Sequence, residues 1–318
     1  MARPPARSHS TQPLTAEMEL GHTSALLAAP LAAIARAIDG SFDALLPLEN
    51  DPRVRLVEAM RYAAIGGGKR LRPLLLTETA RLFGANGNAA IRAATAVEAI
   101  HVYSLIHDDL PCMDDDALRH GKPTLHIAFD EATAVLAGDA FHAFAFDLLS
   151  DPETTGDPFQ RIELVRTMAL ASGINGMVGG QALDMAAELG GFDLPAVTRL
   201  QQLKTGALLA ASVEMGAILG HVPPEGRTHL RGYARDLGLA FQIADDLLDH
   251  EGETAALGKA AGKDAAAGKA TFVSLLGAER AHDQARMLVD QAVAQLAQYG
   301  SEADLLRAIA RYIVERNH

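Results

Sequence analysis

Two clusters of carboxylates, each riding on the end of an apolar segment, limit what this chain can fold into. The first lies in HVYSLIHDDLPCMDDDALRHGKPT, residues 101–124, where Asp108, Asp109, Asp114, Asp115 and Asp116 crowd together with Arg119 and Lys122 close behind. In the second, DDLLD, Asp245, Asp246 and Asp249 fall at i, i+1 and i+4, so on a helix Asp245 and Asp249 share a face. Carboxylates packed this closely destabilise a fold unless a cation sits among them. A hard divalent cation such as Mg²⁺ takes oxygen ligands and commonly carries phosphates with it. Either cluster alone reads equally well as a solvated helix end. The pair is harder to dismiss, because Leu105, Ile106 and Leu110 flank one and Leu239, Phe241, Ile243 and Leu248 flank the other, which marks both as core segments.

Helical periodicity runs through the rest. Alanine and leucine dominate, β-branched alternation is almost absent, and Gly, Pro and Asn punctuate segments of helical length, which predicts an all-α fold. The predicted helices are roughly 24–47, 52–64, 71–84, 87–110, 130–150, 158–174, 178–188, 194–220, 226–250, 270–299 and 301–315. Asn86-Gly87 separates the third from the fourth, Pro111 ends the fourth, and Pro223-Pro224 closes the 194–220 segment. No domain boundary interrupts residues 24–318, and the two acidic helices suggest a pseudo-symmetric bundle around a central cavity. Residues 1–23, with Arg3, Arg7, Pro4, Pro5 and Pro13, read as a mobile tail.

Composition narrows the partners. With 49% apolar residues among 318, a sizeable core is possible, and a formal charge of −12 argues against nucleic acid or an anionic membrane as the main partner. No continuous apolar run reaches the roughly 18 residues of a membrane span, so stable membrane insertion is not expected. The one cysteine, Cys112, allows no intrachain disulfide and reads as a small filler beside the acidic motif, with a reducing, cytoplasmic setting as the expectation.

Basic residues recur near the acidic sets. Gly66-Gly67-Gly68-Lys69-Arg70-Leu71-Arg72-Pro73 combines backbone freedom with cations suited to an anion, yet lacks the glycine spacing and preceding strand of a nucleotide phosphate loop. If Lys69 and Arg72 point inward they form a phosphate pocket; otherwise the stretch is a solvated turn. His101 lies two helical turns before Asp108 on the same face and could line that pocket, or could be an ordinary core histidine. Gly176, Gly179 and Gly180 would let helices approach, leaving Gln181 and Asp184 in need of partners. Lys204, inside an apolar helix, is costly to bury unpaired and reads as a phosphate contact or as a snorkelling surface lysine. Gln242 could reach the same ligand. Residues 251–270, with Lys259, Lys263 and Lys269, read as a basic lid or as a surface loop.

Taken in order, GGGKRLRP, HVYSLIHDDLPCMDDD, GGQALD, LKTGAL, FQIADDLLD and GKATF resemble the trans-isoprenyl diphosphate synthases, and the resemblance covers nearly the whole chain after about residue 25. The DDxxxxD spacing of the first motif looks like bacterial farnesyl synthases and plant-type geranylgeranyl synthases. The resemblance implies an isoprenoid-synthase-type helical bundle around a deep cavity, usually homodimeric. It implies three Mg²⁺ ions holding the diphosphate of an allylic substrate, with Asp108 and Asp114 on one wall, Asp245 on the other, and Asp109 and Asp249 acting from the edge or through water. Arg119, Lys204, Thr205, Gln242 and Lys259 would contact the allylic diphosphate. Lys69, Arg72 and His101 would hold isopentenyl diphosphate.

Product length in such an enzyme follows cavity depth. Tyr103 stands five residues before Asp108, with Ser104 beside it. By resemblance a large aromatic there blocks the growing tail and favours the C15 product, farnesyl diphosphate; geranyl or geranylgeranyl diphosphate are the alternatives. The chain also departs from the family. His120 stands where a second arginine usually contacts isopentenyl diphosphate, Ala117 replaces a usual acidic residue, and Thr271-Phe272-Val273 stands where Tyr-Pro is common. Two rivals remain from other classes: a terpene cyclase, disfavoured by the second basic pocket, and a non-catalytic synthase subunit, disfavoured by two intact acidic motifs.

Overall fold

The computed structural model describes residues 16–187, 190–251 and 270–315, with side chains from residue 25 onward. In chain order the helices are α1 Ala16–Leu45, α2 Val54–Ala64, α3 Leu71–Leu82 and α4 Gly87–Asp108. A two-stranded antiparallel hairpin follows, β1 Leu118–Arg119 and β2 Lys122–Pro123, then α5 Leu125–Ala128, α6 Glu131–Ser150, α7 Pro158–Ser172 and α8 Met177–Ala187. Next come α9 Leu194–Gln201, one turn of π-helix over Gln202–Gly206, α10 Ala207–Leu219 and α11 Thr228–Glu251. The chain closes with α12 Phe272–Leu276, α13 Ala278–Gln295 and α14 Asp304–Glu315.

The bundle is built around α4. Ala89, Ala90, Ala93, Ala94, Ala96 and Ala99 are buried along it, so it has no polar face and neighbours approach from several sides. It packs on α3 and along the length of α6. Behind α3, Gly216 of α10 lies so close that an added Cβ would be 2.5 Å from the Leu76 carbonyl oxygen. Local caps set the starts: Asn86 accepts from the Asn88 amide at 2.8 Å, Asp130 from Thr133 at 2.7 Å, and Asp157 from Phe159 at 2.8 Å.

Several boundaries differ from expectation, each for a local reason. Helix α1 begins at Ala16, inside the segment read as a tail. The 194–220 segment is broken by the π turn, and the 270–299 segment by Gly277, whose φ of +82° no helix accommodates. The hairpin after Asp116 went unread because its turn, His120 at φ 51° and Gly121 at φ 75°, does not use a familiar Asn-Gly pair. Cys112 is exposed and fills no gap. Three helices, Ala25–Leu45, Gly87–Asp108 and Glu131–Ser150, do have the length and mean apolarity of a membrane span, contrary to the sequence reading. Interspersed alanines raise their averages without a continuous run of large apolar residues, and the α4 window is 67% buried inside the bundle.

Candidate active site

The first wall forms where α4 runs out. Asp108 is its last residue and Asp109 its cap. A tight return, with Asp115 at φ 50°, brings the Asp114 amide to 2.8 Å from the Asp108 carbonyl oxygen, so Asp114 folds back over the helix end. Burial pushes the Asp108 carboxyl up to about 6; Asp114 and Asp109 push the same way, against Lys204 and Arg119. Asp109 is almost wholly buried and accepts from Arg119 Nε at 3.0 Å, while Arg119 Nη2 also reaches Asp116 at 3.2 Å. Both Asp109 and Arg119 are thus engaged with each other rather than held open for a ligand.

The opposite wall is α11. Its middle carboxylate, Asp246, turns away from the site: it accepts from Gln242 Nε2 at 3.1 Å and from the first amide of α12, Phe272, at 2.9 Å. Gln242 Oε1 in turn accepts from Thr205 Oγ1 at 2.9 Å. The chain Thr205–Gln242–Asp246–Phe272 ties the π turn, α11 and α12 into one unit. Asp249 Oδ1 is buried without a hydrogen-bond partner among the described residues.

Beside the first wall stands Lys204, within reach of the charges of Asp108 and Asp114. It donates to Asp184 of α8 at 2.6 Å. Burial alone would lower its pKa, but Asp184, Asp108 and Asp114 outweigh that and hold the ammonium charged. Glycine makes the arrangement possible, because α8 packs onto the π turn at Gly180. The glycine-rich approach and the partner for Asp184 are as the sequence suggested; the buried Gln181 Oε1 finds none among the described residues.

Hollows open here among the described residues. A cavity of about 330 Å³ has Asp108, Lys204 and Thr205 at one end and runs down past Ser104, Tyr103 and Leu208. A smaller one, about 130 Å³, gathers Lys69, Arg72, His101 and His120 with Phe241 and Tyr312. The cation of the glycine-rich stretch that turns away is Arg70: it is buried, bonded to Glu98 at 2.6 Å and Asp39 at 2.8 Å, and holds the bundle rather than a ligand. Arg72 is pushed down by burial and held up by Glu98 and Asp245, so it feels the second acidic wall. Burial, then Arg72 and His120, drive His101 well below the ordinary range, and it is neutral. His120 is lowered by loss of water, then by Arg119, Arg70, Lys122 and Lys69.

Among the described residues no three metal-ligating side chains converge on one point. Mg²⁺ takes one or two carboxylates and completes its octahedron with water and phosphate oxygens. The donor set is all oxygen, Asp108 is destabilised as an anion, and Asp249 Oδ1 has no hydrogen-bond partner among the described residues, so the residues fit the ion. Lys259 lies outside the described residues. The aromatic and hydroxyl of Phe241 and Tyr312 in the smaller hollow, and the tie through Asp246, were not singled out from sequence; Phe241 was visible only as a flanking apolar residue.

A helical bundle with a cavity that carries Asp108 and Lys204 at one end and an apolar floor, beside a smaller hollow lined by Lys69, Arg72 and His101, is the arrangement of a prenyltransferase. The profile of the family described as "Polyprenyl synthetase" matches residues 53–311. The chain belongs to that family. It is 48% identical over 283 residues to the farnesyl diphosphate synthase of Escherichia coli (strain K12), covering 87% of this chain and 93% of that one. Among solved structures it resembles the apo form of an FPP/GFPP synthase from Zymomonas mobilis, with 56% identity, a TM-score of 0.83, and coverage of 93% and 99%. It also resembles a geranyltransferase from Helicobacter pylori complexed with magnesium and isoprenyl diphosphate, at 32% identity and a TM-score of 0.77 over 88% and 96% of the chains.

Proposed function

We propose that this prenyltransferase joins isopentenyl diphosphate head-to-tail to dimethylallyl or geranyl diphosphate, releases diphosphate, and stops at farnesyl diphosphate. The observation that carries the reading is the single cavity that runs from Asp108 and Lys204 at its charged mouth to the ring of Tyr103. Asp108 and Asp114 on one wall, and Asp245 and Asp249 on the other, would hold Mg²⁺, three ions with diphosphate bound, and Asp109 would support them from the edge. Bound there, Mg²⁺ offsets the charge of the departing diphosphate.

The chain's own groups do the rest. Lys204, kept charged by Asp184, and Arg119, once released from Asp109, donate to the diphosphate oxygens as the C1–O bond breaks. Thr205 and Gln242, bonded to one another, would contact the allylic diphosphate. The apolar floor keeps water from the allylic cation. Lys69, Arg72, His101 and His120 hold isopentenyl diphosphate so that its double bond attacks C1, after which the released diphosphate takes the proton from the carbon beside the new cation. Lys259 would contact the allylic diphosphate from outside the described segments.

We infer a cytoplasmic homodimer. Supporting this, α6 and α7 leave large apolar side chains in water, with Leu136 55%, Phe159 81% and Ile162 63% exposed, a surface suited to a second copy. Incubating purified protein with Mg²⁺, isopentenyl diphosphate and dimethylallyl diphosphate tests the activity: linear C15 product with free diphosphate is expected. A cyclic hydrocarbon, or no turnover, overturns the reading. The FPP/GFPP synthase likeness favours longer chains as the second reading, which the same product masses would reveal.

A further inference from the structure

We propose that Tyr62 of α2 is a positioning residue for isopentenyl diphosphate: its hydroxyl holds the β1–β2 hairpin so that His120 faces the hollow of Lys69 and Arg72. The inference rests on the reading above that this hollow takes isopentenyl diphosphate, and deepens it. The hairpin carries one proposed contact for each substrate, Arg119 at the end of β1 and His120 in the turn. Packing supports it poorly. Leu118, Lys122 and Pro123 are exposed, and another cavity, about 80 Å³, lies between the turn and β2 on one side and Val102 and Leu105 of α4 on the other. Directed contacts must therefore set its position.

Those contacts are divided between the two strands. On β1, Arg119 donates to Asp109 Oδ1 at 3.0 Å and to Asp116 at 3.2 Å. Thr124 closes the base of the hairpin on itself, bonding to the carbonyl oxygens of Asp116 at 2.6 Å and Ala117 at 3.0 Å. On β2, the Tyr62 hydroxyl donates to the Pro123 carbonyl oxygen at 2.8 Å. Pro123 pairs with Leu118 and Lys122 with Arg119, so this bond ties β2 to α2 three residues from His120. The Tyr62 ring is itself held: Lys122 Nζ lies 6.0 Å from its centre, and Phe129 meets it edge-on at 5.8 Å and 71°. His120 has weaker guidance. A Cβ on Gly67 would lie 3.8 Å from its Cδ2, and one on Gly68 3.9 Å from its Nε2, which is van der Waals contact without direction. Loss of the Tyr62 bond lets β2 and the turn settle toward the cavity and draws His120 from the hollow, while Arg119 keeps anchors of its own.

Tyr62→Phe tests this, because it keeps the ring and removes the hydroxyl. The lost bond is open to solvent, so KM for isopentenyl diphosphate should rise about threefold, with kcat, Tm and KM for the allylic substrate near wild type. Tyr62→Ala also removes the ring contacts and should raise the same KM about tenfold. Isothermal titration with isopentenyl diphosphate needs no turnover and should show the same loss of affinity. His120→Asn suits the φ of 51° with a shorter side chain. If Tyr62 acts through His120, adding Tyr62→Phe to that variant should cost nothing more. An unchanged KM in Tyr62→Phe would overturn the proposal. So would the full threefold rise persisting in the His120→Asn background, an equal rise for both substrates, or a fall in Tm and kcat with KM unmoved. A wild type that binds isopentenyl diphosphate but forms no linear prenyl product would instead overturn the activity reading, and titration would still report on Tyr62.

Discussion

Gly180 and Lys204 occupy ground that only one side chain can share: a methyl on Gly180 would lie 2.1 Å from the Lys204 amide nitrogen and 2.4 Å from its Cα. Both contacts are to backbone, so no side-chain rotation relieves them. Gly180→Ala must therefore push the π turn away from α8 and carry the ammonium of Lys204 off Asp184. Misplacement of about 1 Å at a reacting centre costs roughly 10² in rate, and overpacking costs about 1–3 kcal/mol. Steady-state kinetics should show kcat falling by about that factor, with a lower Tm alongside. Wild-type kcat in this variant would mean the close approach plays no part in catalysis.

Asp108 makes a prediction in which stability and activity move oppositely. Its carboxyl goes from 3.8 up to about 6 in the folded, ligand-free protein. Between those values the folded state holds a proton the unfolded chain has lost, so stability falls as pH rises, by up to about 3 kcal/mol at neutral pH. Asp108→Asn carries no such penalty. Melting curves without ligand should show it more stable than wild type near pH 7, with the gain vanishing toward pH 4. Turnover should drop by roughly 10² to 10³, and Mg²⁺ with pyrophosphate should raise the Tm of the wild type but not of the variant.

His120 stands in the smaller hollow as a neutral ring, since its pKa is lowered from 6.5 by lost water and four neighbouring cations. An arginine adds a permanent charge, and a charge-assisted bond contributes about 1.5 kcal/mol, roughly tenfold. The backbone tolerates it, as Arg70 already adopts the same φ of 51°. His120→Arg should lower KM for isopentenyl diphosphate about tenfold near pH 7 and leave KM for the allylic substrate alone. The advantage should shrink in acid, where the wild-type histidine gains its own proton.

Asp246 predicts a defect at a distance. Its carboxylate accepts from both Gln242 and the Phe272 amide, so Asp246→Ala strands one buried donor, at about 1–3 kcal/mol, and one part-buried donor at less. Hydrogen exchange should speed up at Phe272, and KM for the allylic diphosphate should rise as Gln242 and Thr205 lose their alignment. Unchanged protection at α12 would show that the tie is not what anchors it.

Much of this was legible in the chain because helices advertise themselves through periodicity and caps. The starts predicted near residues 87, 130 and 158 are kept, and the structure caps them with Asn86, Asp130 and Asp157. The two-turn spacing of His101 and Asp108 does place both on one cavity wall. What stayed hidden depends on tertiary pairing. Lys69, Arg70 and Arg72 look alike in sequence, and only the pairing of Arg70 with buried Glu98 and with Asp39 reveals that it belongs to the scaffold. Asp245 and Asp246 are equally acidic neighbours, yet the 100° between them on a helix sends the second into the core. The pairing of Arg119 with Asp109 joins two residues read as separate ligands, and nothing local announces it.

The π turn at Gln202–Gly206 has a consequence for anyone who would reshape this pocket. It acts as a phase offset: deleting one residue would let α9 and α10 fuse into a straight rod and swing one half by about 100° against the other. No substitution reproduces or cancels such a shift. Libraries of point variants will therefore sample the chemistry of the cavity at constant phase, whereas single-codon deletions between α9 and α10 would trade the offset for a smoother and catalytically silent helix.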